Sequence, residues 1–190
     1  MPKHRALPDR SKRPLGAAKL DELALAYVAR FATSRAKLTR YLSRKVRESE
    51  WMDESDAMTA CEAIANRMEQ LRYLDDRQYA AMRAGAMTRR GLGVRRVKAQ
   101  LYVDGIAEQD SGEAIEAAEG AAVAAAVGFA RRRRFGPFAV RTSDDPKLRE
   151  RQIAAFLRAG HSMTIARRIL AVPPGDEAAL AALDDEAGLD

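Results

Sequence analysis

The chain has 190 residues, of which 47% are hydrophobic, 6% aromatic and 32% charged, and its formal net charge is +6. A composition rich in Ala, Leu, Arg and Glu, with few β-branched and aromatic residues, favours helices over strands. The single cysteine, Cys61, excludes an internal disulfide, and no apolar stretch is long enough to cross a bilayer, so the sequence predicts a soluble, cytoplasmic protein with no membrane partner.

The charge is unevenly distributed along the chain. Residues 1–14 carry a net charge of +4 and residues 173–190 carry −6; subtracting both from the total of +6 leaves +8 on residues 15–172. The predicted helical body is therefore basic, which indicates a polyanionic or acidic partner. The alternative is that the excess charge only keeps the protein soluble.

The first predicted helices begin near Lys19. Ser34 is a suitable N-cap for the second helix, and the third is predicted to start near Asp53 or Ser55. Trp51 lies just before it and is interpreted as a core residue between helices, with a nucleic-acid stacking platform as the alternative. The apolar positions expected to face the core are Leu23, Tyr27 and Phe31 in the first helix, and Cys61, Ile64, Met68 and Leu71 in the third.

The next segment carries a helix-start signal in Leu74, Asp75 and Asp76. With Asp75 as the N-cap, Gln78 stands at the third helical position of a capping box. Leu74 and Tyr79 then have the spacing of a hydrophobic staple. Two adjacent carboxylates also occur in acid–base and metal sites, but this pair has no His or third carboxylate on its face, which favours the capping role.

The helix that follows is predicted to run from Asp76 to about Arg89 and to end at Gly91 and Gly93, because glycine adopts a left-handed C-cap without penalty. The glycine pair follows a helix and lacks the other residues of a phosphate-binding loop. The side chains predicted to face inward are Tyr79, Met82 and Ala86.

Five cations surround this glycine-paired turn and form the main candidate binding site: Arg89, Arg90, Arg95, Arg96 and Lys98. Cations are favoured at a helix C-terminus, which explains Arg89 and Arg90. The macrodipole opposes Arg95, Arg96 and Lys98 in the first turns of the next helix. Their position therefore favours a recognition surface, with a solvated face as the alternative.

The last part of the chain predicts a helix from Ala118 to Arg134 that ends at Phe135-Gly136-Pro137. Its inner face is predicted to consist of Val123, Val127 and Ala130. A polar loop from Arg141 to Pro146 and two further helices, Lys147 to Ala159 and Ser162 to Leu170, are expected to follow.

The helix ending at Arg134 carries four consecutive arginines, from Arg131 onward. Four consecutive residues sweep around a helix, so at most two, taken as Arg131 and Arg132, can face a common partner. Capping of the helix end is an equally good explanation of the run.

An apolar i, i+4 pair recurs at separations of 59 and 56 residues, in Leu38 and Leu42, Val97 and Leu101, and Ile153 and Leu157. This period predicts an all-α fold built as a tandem array of three three-helix units, elongated and curved. The predicted boundaries are a basic flexible tail at 1–18, helical units at 19–72, 73–117 and 118–174, and an acidic flexible tail at 175–190.

Catalytic or metal-binding residues are not identifiable. The two histidines, His4 and His161, are isolated, and neither nucleophile motifs nor metal-ligand spacings occur. The sequence therefore predicts a binding protein without enzymatic activity, metal or cofactor.

The strongest positions of the middle segment, Leu74-Asp75-Asp76, Arg89, Gly91, Gly93, Arg95-Arg96-Val97 and Leu101, resemble the RecX regulatory proteins. The resemblance extends from about Leu20 to Val172, through Ser34-Arg35-Ala36-Lys37-Leu38 in the first unit and Gly160-His161-Ser162 in the third. It departs from the family pattern at Val94, where proline is common, and at Gln100-Leu101, where Glu-Leu is frequent.

The resemblance implies three three-helix units that lie in the groove of a RecA–DNA filament, where they inhibit strand exchange and ATP hydrolysis, with a role in DNA repair and the SOS response. It implies a RecA-type recombinase filament as the partner of a monomer, with single- or double-stranded DNA as a further contact. Two alternatives remain open: a helical module that acts directly on DNA, and an adaptor that binds an unrelated acidic protein.

Overall fold

A computed structural model describes residues 12–141 and 145–187. The described residues form ten α-helices, two three-residue strands and one 3-10 turn. The elements in chain order are β1 (Arg13–Leu15), α1 (Ala17–Arg30), α2 (Arg35–Arg47), β2 (Ser49–Trp51), α3 (Ala57–Gln70), α4 (Asp76–Arg89), α5 (Val94–Asp104), α6 (Glu108–Gly120), α7 (Ala122–Arg133), the 3-10 turn (Gly136–Phe138), α8 (Pro146–Ala159), α9 (Met163–Ala171) and α10 (Glu177–Ala187). The predicted all-α class is confirmed.

The chain divides into two compact units between Asp75 and Asp76. In the N-terminal unit, α1 to α3 enclose a core of buried side chains: Leu20, Ala24, Leu38, Leu42, Cys61, Ile64, Met68 and Leu74. The Ser34 hydroxyl accepts the Lys37 amide at 3.2 Å and so caps α2, as predicted. Local capping and apolar periodicity therefore account for the helices of this unit.

Strands β1 and β2 pair in parallel in the N-terminal unit, with Leu15 opposite Trp51. Trp51 packs against the core, and its indole nitrogen donates to the Ser55 carbonyl at 2.7 Å. The strand pair was missed because three residues are too few for an alternating pattern to be recognised. Regular structure therefore extends into both predicted tails, as β1 before residue 18 and as α10 after residue 175; residues 1–11 and 188–190 lie outside the described residues.

The C-terminal unit contains two clusters of buried residues. The middle cluster joins α4, α5 and α6 through Tyr79, Ala80, Ala84, Met87, Val97, Leu101, Ile106, Ala114 and Ala118. The C-terminal cluster joins α7, α8 and α9 through Ala126, Phe129, Ala130, Phe156, Ala159, Ala166 and Ile169. The predicted three-unit repeat and its boundaries remain a prediction.

A buried carboxylate ties α4 to α5 inside the middle cluster. Asp104 is 5% exposed and accepts the Tyr79 hydroxyl at 2.8 Å and the Gln100 amide at 3.0 Å. The Arg83 guanidinium lies 3.4 Å from the same carboxylate. These partners offset the cost of removing the charge from water. Tyr79 therefore fixes the first turn of α4 against the end of α5.

Several predicted inward positions are wrong. Phe31 and Leu71 are 47% and 52% exposed because each lies at the C-cap of its helix, where the chain leaves the apolar stripe. Met82 is 48% exposed, since it lies about 200° around α4 from the fully buried Ala80. Ile153 and Leu157 are only half-buried, because the ring of Phe156 occupies the core side of α8.

The helix predicted from Ala118 to Arg134 is two helices, α6 and α7, separated at Ala121. Alanine and Gly120 carry no turn signal strong enough to reveal this break, which depends on the packing of both helices. The predicted stop is confirmed, since α7 ends at Arg133 and Pro137 lies in the 3-10 turn.

Helix α4 begins at Asp76, as predicted, and Asp75 directly precedes it. We expect Asp75→Ala to lower the free energy of unfolding by roughly 0.5–2 kcal/mol, because the first-turn amides lose a capping acceptor. Urea unfolding measures this loss, and partner affinity per folded molecule should stay unchanged. Asp56→Ala is the matched control, because the Asp56 carboxylate accepts the Thr59 amide at 2.8 Å as the N-cap of α3. Unchanged stability combined with lost binding would instead make Asp75 a contact residue.

Candidate functional site

The glycine-paired turn connects α4 to α5 by two different uses of glycine. Gly91 has φ = 69° and therefore occupies the left-handed region, as predicted for a helix C-cap. Gly93 has φ = −80° and is instead the N-cap of α5, so its predicted role as a left-handed cap is wrong. The reason for glycine at position 93 lies in its surroundings.

The turn packs directly onto the connection between α8 and α9. The Gly93 amide donates to the Ala159 carbonyl at 2.9 Å, and the Arg95 amide donates to the Gly160 carbonyl at 3.2 Å. A Cβ on Gly93 would lie only 2.3 Å from the Gly160 carbonyl carbon. The backbones at Gly93 and Gly160 therefore touch, and this contact joins the middle and C-terminal clusters.

His161 is a buried residue that is hydrogen-bonded to the turn. Its side chain is 2% exposed and lies beside the rings of Phe129 and Phe156, at centroid distances of 5.5 and 5.6 Å. The ring Nε2 lies 3.1 Å from the Gly91 carbonyl oxygen. A carbonyl can only accept, so Nε2 carries the hydrogen and Nδ1 is left without a hydrogen-bond partner among the described residues.

Burial lowers the pKa of His161 below its ordinary value; the hydrogen bond with Gly91 opposes this shift, and the nearby charge of Arg132 adds to it. A lowered pKa means that the unfolded chain binds a proton which the folded chain does not, so stability should fall with acidification. The loss should begin near the ordinary pKa of 6.5 and stop growing below the folded-state pKa.

We therefore expect the free energy of unfolding of the wild type to decline from about pH 7.5 downward more steeply than that of His161→Gln. Urea unfolding of both proteins between about pH 8 and about pH 5 gives the two profiles. Their difference isolates His161 from the carboxylates, which titrate in both proteins. Parallel profiles would mean that His161 protonates equally easily in the folded and unfolded chains.

Four of the five predicted cations around the turn are exposed and form no ion pair with the described residues: Arg89, Arg90, Arg95 and Arg96. Lys98 differs, because its Nζ lies 2.8 Å from a carboxylate oxygen of Glu119 on α6. We call these five residues the basic turn. Their charges are concentrated on one rigid connection of the C-terminal unit.

The arginine run at the end of α7 reaches the basic turn through a single residue. The Arg132 guanidinium donates to the Arg90 carbonyl and thus crosses from α7 to the turn. Arg131 lies over the Phe138 ring at 5.0 Å, and Arg133 over the Phe129 ring at 5.9 Å. The run therefore fans around its helix, and Arg132 is the member whose hydrogen bond brings it to the basic turn.

A groove of about 300 Å³ lies beside the basic turn and was not predicted. Glu119 and Ala122 reach it from the α6–α7 junction, and Ser162 and Ile165 from the first turn of α9. The N-cap signal of Ser162 was recognisable in the sequence, but its proximity to Arg95 and Lys98 depends on tertiary packing. Among the described residues, no cluster of three or more His, Cys, Asp or Glu could hold a metal ion.

The residues of the helix-start signal do not line this groove. Leu74 belongs to the core of the N-terminal unit, and Tyr79 belongs to the middle cluster. Asp75 and Asp76 mark the start of α4. Their positions suit a structural role, which stays a prediction that the Asp75→Ala experiment tests.

Comparison with known proteins identifies relatives with one function. The sequence is 28% identical to the regulatory protein RecX of Myxococcus xanthus (strain DK1622) over 182 residues, which cover 90% of this chain and 97% of the relative. It is 32% identical to the regulatory protein RecX of Agrobacterium fabrum (strain C58 / ATCC 33970) over 102 residues, 54% of each chain. A scan against models of known protein families found no match.

The fold comparison gives the same result. A crystal structure of regulatory protein RecX superposes with a TM-score of 0.60, covering 80% of this chain and 70% of the other at 18% sequence identity. The curated relatives and the shared fold support an assignment to the RecX family. The relatives are named regulatory proteins, and the helical fold of the RecX crystal structure is present in this chain.

Two motifs that resemble RecX proteins are in contact in this chain. The glycine-paired turn and the Gly160-His161-Ser162 segment are separated by about 70 residues and touch through backbone hydrogen bonds. No helix of the described residues is long and apolar enough to cross a membrane.

Proposed function

We propose that this protein binds a RecA-type recombinase filament on DNA and modulates it, mainly by inhibiting strand exchange and ATP hydrolysis. The proposal rests on the similarity of the chain to proteins named regulatory protein RecX and on the resemblance of the second-unit motif to those proteins. It assigns no enzymatic activity to the chain itself, which is expected to act as a cytoplasmic monomer.

The observation that supports a binding role is the basic turn. Arg89, Arg90, Arg95 and Arg96 repel one another, and none forms an ion pair with the described residues. A fold gains no stability from exposed like charges placed together. An anionic partner neutralises them, speeds the encounter and fixes the register of binding.

The rigid mounting of the turn supports the same role. Its backbone is held by Gly93, Arg95 and Gly91 through contacts with Ala159, Gly160 and His161. A recognition surface that is already ordered loses little entropy on binding, so more of the interaction energy appears as affinity. Binding that favours an inactive filament arrangement over the active one would inhibit the filament.

The alternative function is that of a helical module that binds DNA directly. Exposed Arg95 and Arg96 at the start of α5 favour it, because a helix N-terminus with added cations suits phosphate contacts. In that case, affinity for naked DNA should be high and should fall steeply with salt.

The experiment that tests the proposal is an ATPase assay with the recombinase from the same cell, assembled on single-stranded DNA. We expect substoichiometric amounts of the protein to lower the DNA-dependent ATPase rate, because a filament modulator acts on many protomers from one position. A DNA competitor needs near-stoichiometric coverage. If the purified protein neither binds the filament nor changes its ATPase or strand-exchange rate at micromolar concentration and moderate salt, the proposal fails.

A further inference from the structure

The groove beside the basic turn lies where two helices begin. Val94 and Arg95 belong to the first turn of α5, and Ile165 belongs to the first turn of α9. A helix N-terminus carries about half a positive elementary charge on its free amide groups. The Arg95 amide already donates to the Gly160 carbonyl and the Ile165 amide to the Ser162 hydroxyl, so these two ends add only part of the positive potential in the groove.

Side chains strengthen this potential. Arg95 and Lys98 line the groove, and His161 is also among its lining residues. His161 is 2% exposed, and its Nδ1 has no hydrogen-bond partner among the described residues. Because Nε2 carries the hydrogen, Nδ1 is an acceptor in the neutral ring and can donate to a bound carboxylate only when the ring is protonated.

A carboxylate already occupies one side of the groove. Glu119 lies 2.8 Å from the Lys98 ammonium, and both side chains are about half-exposed, at 51% and 50%. An exposed ion pair of this kind contributes little to stability. Glu119 can therefore be exchanged for a competing carboxylate at small cost.

The walls distinguish a protein ligand from a nucleic acid. Val94, Ala122 and Ile165 make part of the lining apolar, and the whole groove measures only about 300 Å³. This space fits one acidic side chain with an apolar neighbour. A phosphodiester chain requires a continuous basic track, and here the apolar residues Val94, Ala122 and Ile165 interrupt it.

We propose that this groove binds a carboxylate side chain of an acidic protein segment, and that Glu119 holds the same position on Lys98 in the free protein. The proposal rests on the proposed function for the identity of the protein that carries the segment. The ligand of the groove is then a carboxylate, and Glu119 competes with it for Lys98.

The first test measures affinity for the recombinase filament assembled on single-stranded DNA. Glu119→Gln should bind about two- to fivefold more tightly, because Lys98 is released from its internal partner, and Lys98→Gln should bind more weakly by a similar factor. Glu116→Gln is the matched control: it removes the same charge from the same exposed face of α6, and Glu116 does not line the groove. Equal effects of Glu119→Gln and Glu116→Gln would overturn the proposal.

Affinity for naked DNA distinguishes a carboxylate ligand from a phosphate ligand. The Glu119→Gln and Lys98→Gln changes should leave affinity for naked DNA within about twofold of that of the Glu116→Gln control. If the variants change affinity for naked DNA as much as affinity for the filament, the groove binds phosphate and the carboxylate proposal is wrong.

A second test does not need the recombinase. The chain contains two histidines, so His161→Gln assigns the ring resonances by NMR. Titration of the full chain with N-acetyl-Leu-Glu-Leu amide should shift the His161 resonances and raise the pKa of His161, because a bound negative charge favours the protonated ring. The uncharged peptide N-acetyl-Leu-Gln-Leu amide should cause neither the shift of the resonances nor the rise in the pKa of His161.

The titration must also allow for the other charged groups around His161, which are Arg132 on α7, Arg95 and Lys98 on α5, and Glu119 on α6. Equal shifts with the two peptides, or none, would overturn the proposal. If the wild type fails to bind the filament but the Glu peptide alone shifts His161, the proposed function fails and the carboxylate groove stands.

Discussion

Gly93→Ala is expected to destabilise the protein by at least about 3 kcal/mol, at the upper end of the cost of inserting one methyl group into a packed site. The new Cβ would lie 2.3 Å from the Gly160 carbonyl carbon, 2.4 Å from its oxygen and 2.4 Å from the His161 nitrogen. All three are backbone atoms, so no side-chain rotation relieves the clash. The turn and the α8–α9 connection must separate, and their hydrogen bonds are lost.

The conformational preference of glycine contributes nothing to this loss. Gly93 has φ = −80°, which alanine adopts freely, so the whole effect is steric. Thermal unfolding should show a midpoint lower by roughly 6–12 °C, from about 2–4 °C per kcal/mol for a chain of this size.

Gly112→Ala is the matched control, because it makes the same chemical change in the middle of α6, where a Cβ would meet no atom within 4 Å. We expect it to stabilise the protein by about 0.5–1 kcal/mol through helix propensity. If Gly93→Ala behaves like Gly112→Ala, the close contact between Gly93 and Gly160 does not hold the C-terminal unit together.

Replacement of Arg95, Arg96 and Lys98 by Gln is expected to weaken binding to the recombinase filament by about tenfold or more, corresponding to about 1.4 kcal/mol per factor of ten. The fold should survive, since Gln has nearly the same helix propensity as Arg and Lys, and the circular dichroism should not change. Loss of the half-exposed Lys98–Glu119 pair should cost less than about 1 kcal/mol of stability.

The salt dependence of the triple variant identifies the partner. If the lost contacts are with DNA phosphates, the slope of log affinity against log salt on naked DNA should fall by about 0.9 per contact for duplex and about 0.7 for single strands. If they are with an acidic protein surface, filament binding should weaken without that change on naked DNA.

A control triple variant at Lys147, Arg149 and Arg151 removes the same charge from exposed positions near the start of α8. This end of the helix lies roughly 15 Å along the axis from Gly160, where the basic turn packs. The control should weaken binding far less than the triple variant of the basic turn. Equal effects would mean that total charge, and not the basic turn, determines affinity, and unchanged affinity in both would make the turn a solvated surface.

Local signals in the sequence determined most of the helix boundaries. Ser34 was recognised as an N-cap, and the last predicted helix was placed from Ser162; each of these serines accepts the backbone amide three residues later. The start of α4 at Asp76 and the stop of α7 before Pro137 follow from side chains within one turn of the helix end. These interactions form within the segment, so neighbouring residues contain the information. The same motifs were sufficient to indicate the RecX family.

Helix faces were predicted less well than helix ends. The apolar pairs Leu38–Leu42 and Val97–Leu101 are buried, whereas Met82 is exposed and Phe156 replaces Ile153 and Leu157 in the core. Alanine-rich helices such as α4 have a weak apolar stripe, so several faces could be buried with similar gain. The packing of the neighbouring helices decides which face is buried.

The candidate binding surface was predicted only as a set of charges, and tertiary structure decided which contacts each of them makes. Lys98 pairs with Glu119 across 21 residues, Arg132 reaches the Arg90 carbonyl across 42, and His161 meets Gly91 across 70. No pattern within a single helix encodes such contacts, because they exist only after α5, α7 and α9 have packed. The sequence by itself therefore determined the helix ends, the basic character and the resemblance to RecX proteins. Packing alone decided which cations stay exposed and where the groove forms, since close approach at Gly93 and Gly160 is a property of two surfaces together.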